Sequence, residues 1–319
     1  MKTTDEVILV SCSGGPAAIG AIKSLRDINF EGKIVAIDCD ELSVGNHLSD
    51  KGYVVPMSTH PQYWKEVLSI IEKEGVTLIL PTGDADIRHF SKHRRTLENR
   101  NVSVFMSDYN TIRMCQSKQW FFEYCYNTLP LPFTSPNWAD LSFPMFAKPE
   151  AGSGSRGIKI CNRVSDVKSL DKEESVHRSS NYIFQEYLPG QEYTVDVLCD
   201  MDSQVKAVII RERIQIKAGI SSKGRIVYDE EIQQLCVSMC HHMNLKGPVC
   251  IQLKRDSFGK PKFIEVNPRL GGGTYFATLA GVNIIEGILK LKNETTTHSP
   301  ILPTPKEITV LRYYNEIVV

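Results

Sequence analysis

Three stretches of this sequence gather residue types that handle phosphate and divalent metal. In the first, Phe143-Pro144-Met145-Phe146-Ala147-Lys148-Pro149 leads into Gly152-Ser153-Gly154-Ser155-Arg156-Gly157. A lysine closes an apolar strand and a flexible loop follows. Glycines let backbone N–H groups approach phosphate oxygens, and the ammonium supplies a point charge. The pattern lacks the G-x-x-x-x-G-K-[ST] order of a Walker A loop, and taken alone a glycine-rich loop is more often a plain turn. In the second, Ile183-Phe184-Gln185-Glu186-Tyr187-Leu188-Pro189-Gly190-Gln191-Glu192-Tyr193 is an apolar strand meeting a bend that carries two acids. Edge backbone groups there could read an adenine, and Glu192 could accept hydrogen bonds from ribose hydroxyls; a surface bend with solvated acids has the same composition. In the third, Val249-Cys250-Ile251-Gln252 is followed, 13 residues after Gln252, by Glu265-Val266-Asn267-Pro268-Arg269. Strand alternation puts Glu265 and Asn267 on one face, which suits Mg²⁺ bound through carboxylate, amide and phosphate oxygens. Arg269, just past the strand, could meet a transferring phosphoryl group. A polar pair on a strand face more often faces water, but the sequel Leu270-Gly271-Gly272-Gly273 adds a second donor-rich backbone loop beside that cation.

The elements around these stretches follow from hydrophobic periodicity. Val7 to Val10 is a short apolar strand ending in Ser11-Cys12-Ser13-Gly14-Gly15-Pro16. A helix is predicted over 17–26, a strand over 33–37, a helix over 61–74 and a strand over 76–80 that ends in Pro81-Thr82-Gly83-Asp84. Strands alternating with helices imply right-handed βαβ units and a parallel sheet, so residues 1–108 read as a Rossmann-like domain. Its first turn, Gly14-Gly15 and then Gly20, lacks the G-x-G-x-x-G spacing of a dinucleotide fingerprint, although a helix N-terminus there could still hold an anion. Beyond it, helices are predicted over 109–129, 165–179, 230–243 and 274–290. Strands are predicted over 144–148, 158–161, 182–187, 193–199, 205–213, 247–253, 262–266 and 308–314. Asp256-Ser257-Phe258-Gly259 is a hairpin turn, and 295–305 reads as a polar linker.

Composition narrows the class. The chain has 319 residues, more than one core usually serves. Its 42% hydrophobic and 23% charged content is ordinary for a globular protein. Thirty-seven basic and 37 acidic residues cancel, leaving no global field for nucleic acid or an anionic membrane. No apolar run approaches the ~20 residues of a membrane span, and Met1 to Glu6 lacks the pattern of a secretory signal. The nine cysteines are odd in number and form no C-x-x-C pair. Cys236 and Cys240, with His241 and His242 beside them, fit buried thiols on a helix face better than a zinc site. The expectation is a reduced, cytoplasmic protein, and none of the eight histidines stands in a catalytic frame.

In their order and spacing the three stretches resemble the ATP-grasp superfamily, in particular stand-alone proteins similar to the large subunit of carbamoyl phosphate synthetase. Gln185-Glu186-Tyr187-Leu188-Pro189-Gly190-x-Glu192, Glu265-Val266-Asn267-Pro268-Arg269, and Lys217-Ala218-Gly219-Ile220-Ser221 after Arg211-Glu212-Arg213 carry the likeness, which covers nearly the whole chain. The resemblance implies an α/β chain, α+β in its central part. A Rossmann-like pre-ATP-grasp domain (1–108) would precede an ATP-grasp domain (109–319) with a lid subdomain at about 140–188 and a catalytic subdomain at about 189–319. It also implies roles. Lys118 and Lys148 would contact ATP phosphates. The loop with Gly152, Ser153, Gly154, Ser155 and Gly157 would close over them. Glu186, Tyr187 and Leu188 would border the adenine, and Glu192 would hold the ribose. Gln252, Glu265 and Asn267 would bind one or two Mg²⁺ ions, with Mn²⁺ as a substitute. Arg269 would stabilise the transferring γ-phosphoryl group, with Arg211 and Arg213 near phosphates or the acyl phosphate. Many ligases of the superfamily have Asp where this chain has Gln252; losing that charge weakens a second Mg²⁺ site.

The activity so implied is ATP-dependent ligation of a small-molecule carboxylate to an amine through an acyl phosphate, without nucleic acid or membrane. Members of the superfamily often dimerise, so a homodimer is one expectation. The acceptor pocket is expected between the N-terminal domain and the central sheet, near Ser13, Gly14, Gly15, residues 82–86 and 271–275. Asp84 and Asp86 there could grip an amine or simply begin a helix, and Arg269 with Gly271 to Gly273 could receive a carboxylate. The alternatives are a single-unit enzyme phosphorylating bicarbonate or carbamate, a non-catalytic ATP-binding module, which predicts a lost lysine or metal ligand, and an oxidoreductase, whose fingerprint spacing is wrong.

Overall fold

Val7–Ser11 is strand β1, and it is buried on both faces: Ile8 and Val10 enter one core while Leu9 enters another. A parallel sheet covered by helices on both sides requires that burial. The computed structural model describes residues 5–150, 157–173, 182–293 and 302–319. Its first sheet is parallel and five-stranded, from β1, β2 (Lys33–Asp38), β3 (Lys51–Val54), β4 (Leu78–Leu80) and β5 (Ser103–Val104), in the order β3-β2-β1-β4-β5. The helices between are α1 (Pro16–Asp27), α2 (Val44–Leu48), α3 (Tyr63–Glu74), α4 (Asp84–Lys92) and α5 (Arg94–Glu98). Strand order reverses between β1 and β4, so the turns after those strands meet at the switch point of the sheet. Neither β3 nor β5 is predicted by the sequence pattern. β3 is a half-exposed Lys-Gly-Tyr-Val edge and β5 has two residues, so neither shows a clear period.

Two antiparallel sheets follow. Helices α6 (Tyr109–Gln116) and α7 (Lys118–Cys125) replace the single helix expected over 109–129. Ser117 between them is extended, and its hydroxyl caps α7 by accepting from the Trp120 amide. Strands β6 (Thr134–Ser135), β7 (Met145–Pro149), β8 (Lys159–Cys161) and, after helix α8 (Val164–Glu173), β9 (Tyr182–Glu186) form a four-stranded sheet ordered β6-β9-β7-β8. The last sheet takes β10 (Glu192–Cys199), β11 (Val205–Lys217), β12 (Ile220–Val227), then, past helix α9 (Glu230–His242), β13 (Gly247–Arg255) and β14 (Pro261–Asn267). After helices α10 (Thr274–Leu279) and α11 (Ile284–Asn293) comes β15 (Thr309–Leu311), giving six strands ordered β14-β13-β10-β11-β12-β15. The helix expected over 274–290 breaks at Gly281, which has φ +90°. Strand β11 runs four residues past the expected end at Arg213 and turns through Ala218 and Gly219, both with positive φ, into β12, which was not expected.

The six-stranded sheet buries both faces. Along β10, Tyr193, Val195, Val197 and Cys199 pack toward α7 and α9, while Leu198 packs the other way, into the core of α1, α10 and α11. That second core also holds Ile8, Val10 and Leu80 of the parallel sheet. The N-terminal sheet is thus fused to the C-terminal one through α1, with the Ser24 and Thr278 hydroxyls 2.8 Å apart across the seam. Among the described residues no helix is long and apolar enough to cross a membrane.

One seam contact is steric. Gly247 has φ +71°, and a Cβ there would lie 2.2 Å from the Phe105 carbonyl oxygen. Gly259, in the β13–β14 turn, has φ +78° with open space around it. Gly259→Ala should cost only the left-handed backbone term of about 1–2 kcal/mol. Gly247→Ala must also displace a neighbouring backbone and should cost about twice that or more. Urea denaturation of the two variants checks this, and equal losses would refute the contact.

Candidate active site

On β7, alternation puts Phe146 and Lys148 on one face, and pairing with β9 sets Phe146 opposite Gln185. The Lys148 ammonium is buried and donates to Gln185 Oε1 at 2.5 Å; Gln185 Nε2 donates in turn to Thr134 Oγ1 at 3.0 Å. Burial pulls the Lys148 pKa down from 10.5 to about 8, with the nearby Lys118 ammonium acting in the same sense and Glu265 opposing. The helix break at Ser117 places Lys118 in the first turn of α7, where burial also lowers its pKa against the pull of Glu265 and Glu150. Glu150, on the other side of the Lys148-Pro149 pair, sits at the positive end of that helix. Its carboxylate accepts from Ser117 Oγ at 2.5 Å and from the Lys118 amide at 3.2 Å, and its carbonyl accepts from Lys118 Nζ at 3.2 Å.

The opposite wall comes from the six-stranded sheet. Register sets Gln252 opposite Glu265 and Cys250 opposite Asn267. Arg213 bridges strands: it pairs with Glu192 at 2.8 Å, donates to Gln252 Oε1 at 3.1 Å and to the Gly219 carbonyl at 2.7 Å. Its Nε is buried without a partner among the described residues. Asn267 Nδ2 donates to Glu265 Oε1 at 2.7 Å. These walls enclose a cavity of about 170 Å³ whose polar side carries Lys118, Lys148, Glu192, Arg213, Gln252 and Glu265. Gln185, Glu186 and Lys254 also line it, and its apolar part includes Phe121, Phe122, Phe146 and Ile264. A cationic end and an aromatic end in one cleft suit a ligand with an anionic tail and a flat apolar head. A larger depression of about 430 Å³ lies at the β5 edge between Arg94 and Phe105, and it carries none of the residues predicted to do chemistry.

Several predicted residues stand elsewhere. Gly152, Ser153, Gly154 and Ser155 lie outside the described residues. Gly157, just after them, has φ +73°. Leu188 and Glu186 line the cavity, but the Glu186 amide already donates to the Phe133 carbonyl at 2.9 Å and its carboxylate is held by Lys262, so that amide is not available to an adenine edge. Tyr187 is not among the lining residues, but its ring centroid lies 5.2 Å from that of Phe146, which is. Arg211 does not line the cavity. It is buried behind it, donating to Asp196 at 3.2 Å and Ser221 at 2.9 Å, and it packs on the Phe276 ring. The glycine run 271–273 proves to be a packing device. A Cβ at Gly271 would lie 2.7 Å from Cys250 Sγ, and one at Gly273 would lie 2.3 Å from the Arg211 guanidinium. The Gly271 amide is taken by Thr274 Oγ1. Arg269 forks onto Asp84 of the N-terminal domain, at 2.6 and 3.0 Å, so Asp84 is not open to an amine.

Sequence reasoning passed over Gln185, Glu150, Phe121, Phe122 and Lys254. Lys254 lies two residues after Gln252 on β13, hence on the same face, and its ammonium stands 5.8 Å from the Phe146 ring and 5.6 Å from that of Tyr187. That period of two was the available signal; the phenylalanines read as ordinary helix core.

Residues 8–105 match the family described as PylC-like, N-terminal domain. Residues 178–316 match the family described as ATP-grasp in the biosynthetic pathway with Ter operon. The arginine-specific large chain of carbamoyl phosphate synthase from Halalkalibacterium halodurans is 23% identical over 244 residues, covering 69% of this chain and 22% of that protein. The D-aspartate ligase of Enterococcus faecium is 23% identical over 244 residues, covering 67% of this chain and 58% of that protein. The chain therefore spans less than two thirds of either curated relative. Among solved structures, N5-carboxyaminoimidazole synthetase from Staphylococcus aureus complexed with ADP superposes with a TM-score of 0.73 over 97% of this chain and 82% of that one, at 14% identity. The chain thus carries an ATP-grasp domain match over 178–316, behind a PylC-like N-terminal domain match over 8–105.

The buried Lys148 ammonium has a consequence for stability. The unfolded chain keeps this proton up to its ordinary 10.5, whereas the folded chain releases it near 8. Between those values the unfolded state binds more protons, so wild-type stability should rise with pH by up to about 3 kcal/mol relative to Lys148→Met. Denaturation of both proteins at pH 7.5 and 9.5 tests this; parallel profiles would mean the ammonium is not desolvated.

Proposed function

We propose that this protein is an ATP-dependent carboxylate–amine ligase that forms an amide or peptide bond on a small metabolite and releases ADP and phosphate. The observation that carries the reading is the convergence of Lys118, Lys148 and Arg213 with Glu265 and Gln252 around one cleft that ends in aromatic side chains. The ligase named among the relatives and the ADP complex among the similar structures support it.

In this reading the adenine enters among Phe146, Tyr187 and Leu188, Glu192 takes the ribose, and the two lysines take the phosphates. Arg213 offers its unpartnered Nε to an anionic oxygen. The donor set also bears on magnesium. One carboxylate and two amides, Glu265 with Gln252 and Asn267, are too few anions to hold Mg²⁺ alone, and no group of three or more His, Cys, Asp or Glu that could hold a metal occurs among the described residues. They fit an ion that arrives on the nucleotide, since Mg²⁺ is usually held by one or two carboxylates plus phosphates. Held there by Glu265, Gln252 and Asn267, such an ion would neutralise phosphate charge; Mn²⁺, with similar oxygen preference, would serve as well.

The chemistry needs no protein nucleophile. A substrate carboxylate oxygen attacks the γ-phosphorus, the bond to the β-phosphate oxygen breaks, and ADP leaves. The acyl phosphate then accepts the amine lone pair at its carbonyl carbon; phosphate departs and the amine gives up a proton. Lys118, Lys148 and Arg269 act by positioning and by balancing charge. In this reading residues 1–108 present the acceptor and residues 109–319 hold the nucleotide. The match to carbamoyl phosphate synthase favours a second reading, a single-unit enzyme phosphorylating bicarbonate or carbamate.

The test is Mg²⁺-dependent phosphate release from ATP, with pooled carboxylates, with and without pooled amines, and with bicarbonate as a separate arm. Turnover that needs both a carboxylate and an amine, and falls at least about a hundredfold in Lys148→Ala, is the expected result. Release with bicarbonate alone would select the second reading, and absence of ATP binding would remove both. Gln252→Asp adds a negative charge at the metal position and should lower the Mg²⁺ concentration needed for half-maximal binding of the nucleotide.

A further inference from the structure

We propose that Asp84, in the N-terminal domain, is a positioning residue that presents Arg269 to the γ-phosphoryl group, a role that rests on the ligase reading above. The two carboxylate oxygens of Asp84 accept from Arg269 Nε at 2.6 Å and Nη2 at 3.0 Å. This is the side-on fork in which a guanidinium and a carboxylate fix each other's plane. The remaining contacts lock the same group: Nη1 donates to the Leu270 carbonyl at 3.1 Å and Nη2 also to Asn267 Oδ1 at 3.3 Å. One Nη1 hydrogen is left without a partner among the described residues. Because Asn267 also donates to Glu265, the guanidinium is held in a set relation to the metal-side carboxylate.

Asp84 is itself held. It opens α4, its carbonyl accepts from Gln116 Nε2 at 2.7 Å, and Gln116 Oε1 accepts from Arg88 Nε at 2.9 Å. Gly83, just before it, lies so close to Cys12 that a Cβ would sit 2.2 Å from the sulfur, which fixes the β4–α4 turn against the β1 turn. Gln116 directly precedes Ser117 and Lys118. One side chain therefore joins the turn that holds Arg269 to the helix start that holds a lysine of the cleft. A free arginine would lose considerable rotamer entropy on meeting a phosphoryl group. Here that ordering is present beforehand, which favours the transition state.

The contact could instead serve only to hold the domains together. That role is already filled by the shared core, by the Ser24–Thr278 contact and by the Lys246–Asp108 pair at 3.1 Å. The pair is largely withdrawn from solvent, with Asp84 keeping 25% of its side chain exposed and Arg269 16%.

Calorimetric titration with MgADP and with Mg-β,γ-imido-ATP tests the proposal without a known acceptor. The readout is the ratio of the two affinities, which isolates the γ-phosphoryl contribution. Wild type should prefer the triphosphate. Asp84→Asn should lower that ratio about tenfold, the size of one lost charge-assisted contact, with MgADP affinity unchanged as a check that the cleft is folded. Asp84→Glu should restore part of it. Lys246→Ala, which breaks another contact between the domains, should leave it unchanged. In the Arg269→Ala background, Asp84→Asn should have no further effect. An unchanged ratio in Asp84→Asn, additive effects of the two substitutions, or equal affinity of wild type for the two nucleotides would overturn the inference alone. Failure of wild type to bind either nucleotide would overturn the ligase reading and the inference with it.

Discussion

Two lysine ammonium groups and an arginine are kept out of bulk water in one cleft, and the rest of the structure answers to that constraint. Unpaired, each buried charge would cost several kcal/mol. Each therefore has named oxygen partners: Gln185 for Lys148, the Glu150 carbonyl for Lys118, and Glu192 with Gln252 for Arg213. These partners come from different sheets. Gln185 belongs to the four-stranded sheet and Glu192 and Gln252 to the six-stranded one, while Lys118 rides on a helix packed against the second. The cleft exists only where the three surfaces close. A cleft made this way carries excess positive potential at its polar end, which is what a polyphosphate selects.

The N-terminal sheet is bound into the same constraint. Its β1 strand shares a core with Leu198 and Ile209 of the six-stranded sheet and Phe276 of α10, so the two sheets are layers of one packed body at that seam. The turns at its switch point, where open α/β sheets bind ligands, face the end of β14 through the Asp84–Arg269 fork. Cys12, Gly83 and Asp86 pack together there, with the Cys12 thiol donating to Asp86 at 3.0 Å, and burial pushes that thiol far up from its ordinary pKa. Burial and the adjacent carboxylate thus disfavour its thiolate.

The elements that could be read from the chain are those whose burial is one-sided or complete over several residues. β1, β2, β10, α1, α3 and α9 all show it. The failures share a physical cause. Two helices were expected as continuous because their apolar spacing runs through Ser117 and Gly281. A serine cap and a left-handed glycine interrupt the backbone without interrupting the period. The outer half of β11 escaped because Gln215, Ile216 and Lys217 are exposed, and β12 because two of its buried positions are Ser221 and Gly224, which carry no apolar side chain to mark a period.

By itself the sequence determined the chemistry available: lysines closing a strand and opening a helix, an acid–amide pair spaced for one strand face, and an arginine behind them. Such groups are legible because their spacing along one strand or loop is set by local geometry. Only the tertiary structure decided which of two arginines two residues apart on β11 reaches the cleft. Both point to the same face by alternation, yet Arg213 meets Glu192 while Arg211 is drawn to Asp196, Ser221 and Phe276. It likewise decided that Gly271 and Gly273 serve close packing, and that Asp84, 185 residues away from Arg269 in the chain, is its partner. Contacts of that separation depend on how sheets are ordered and docked, and no local period encodes them.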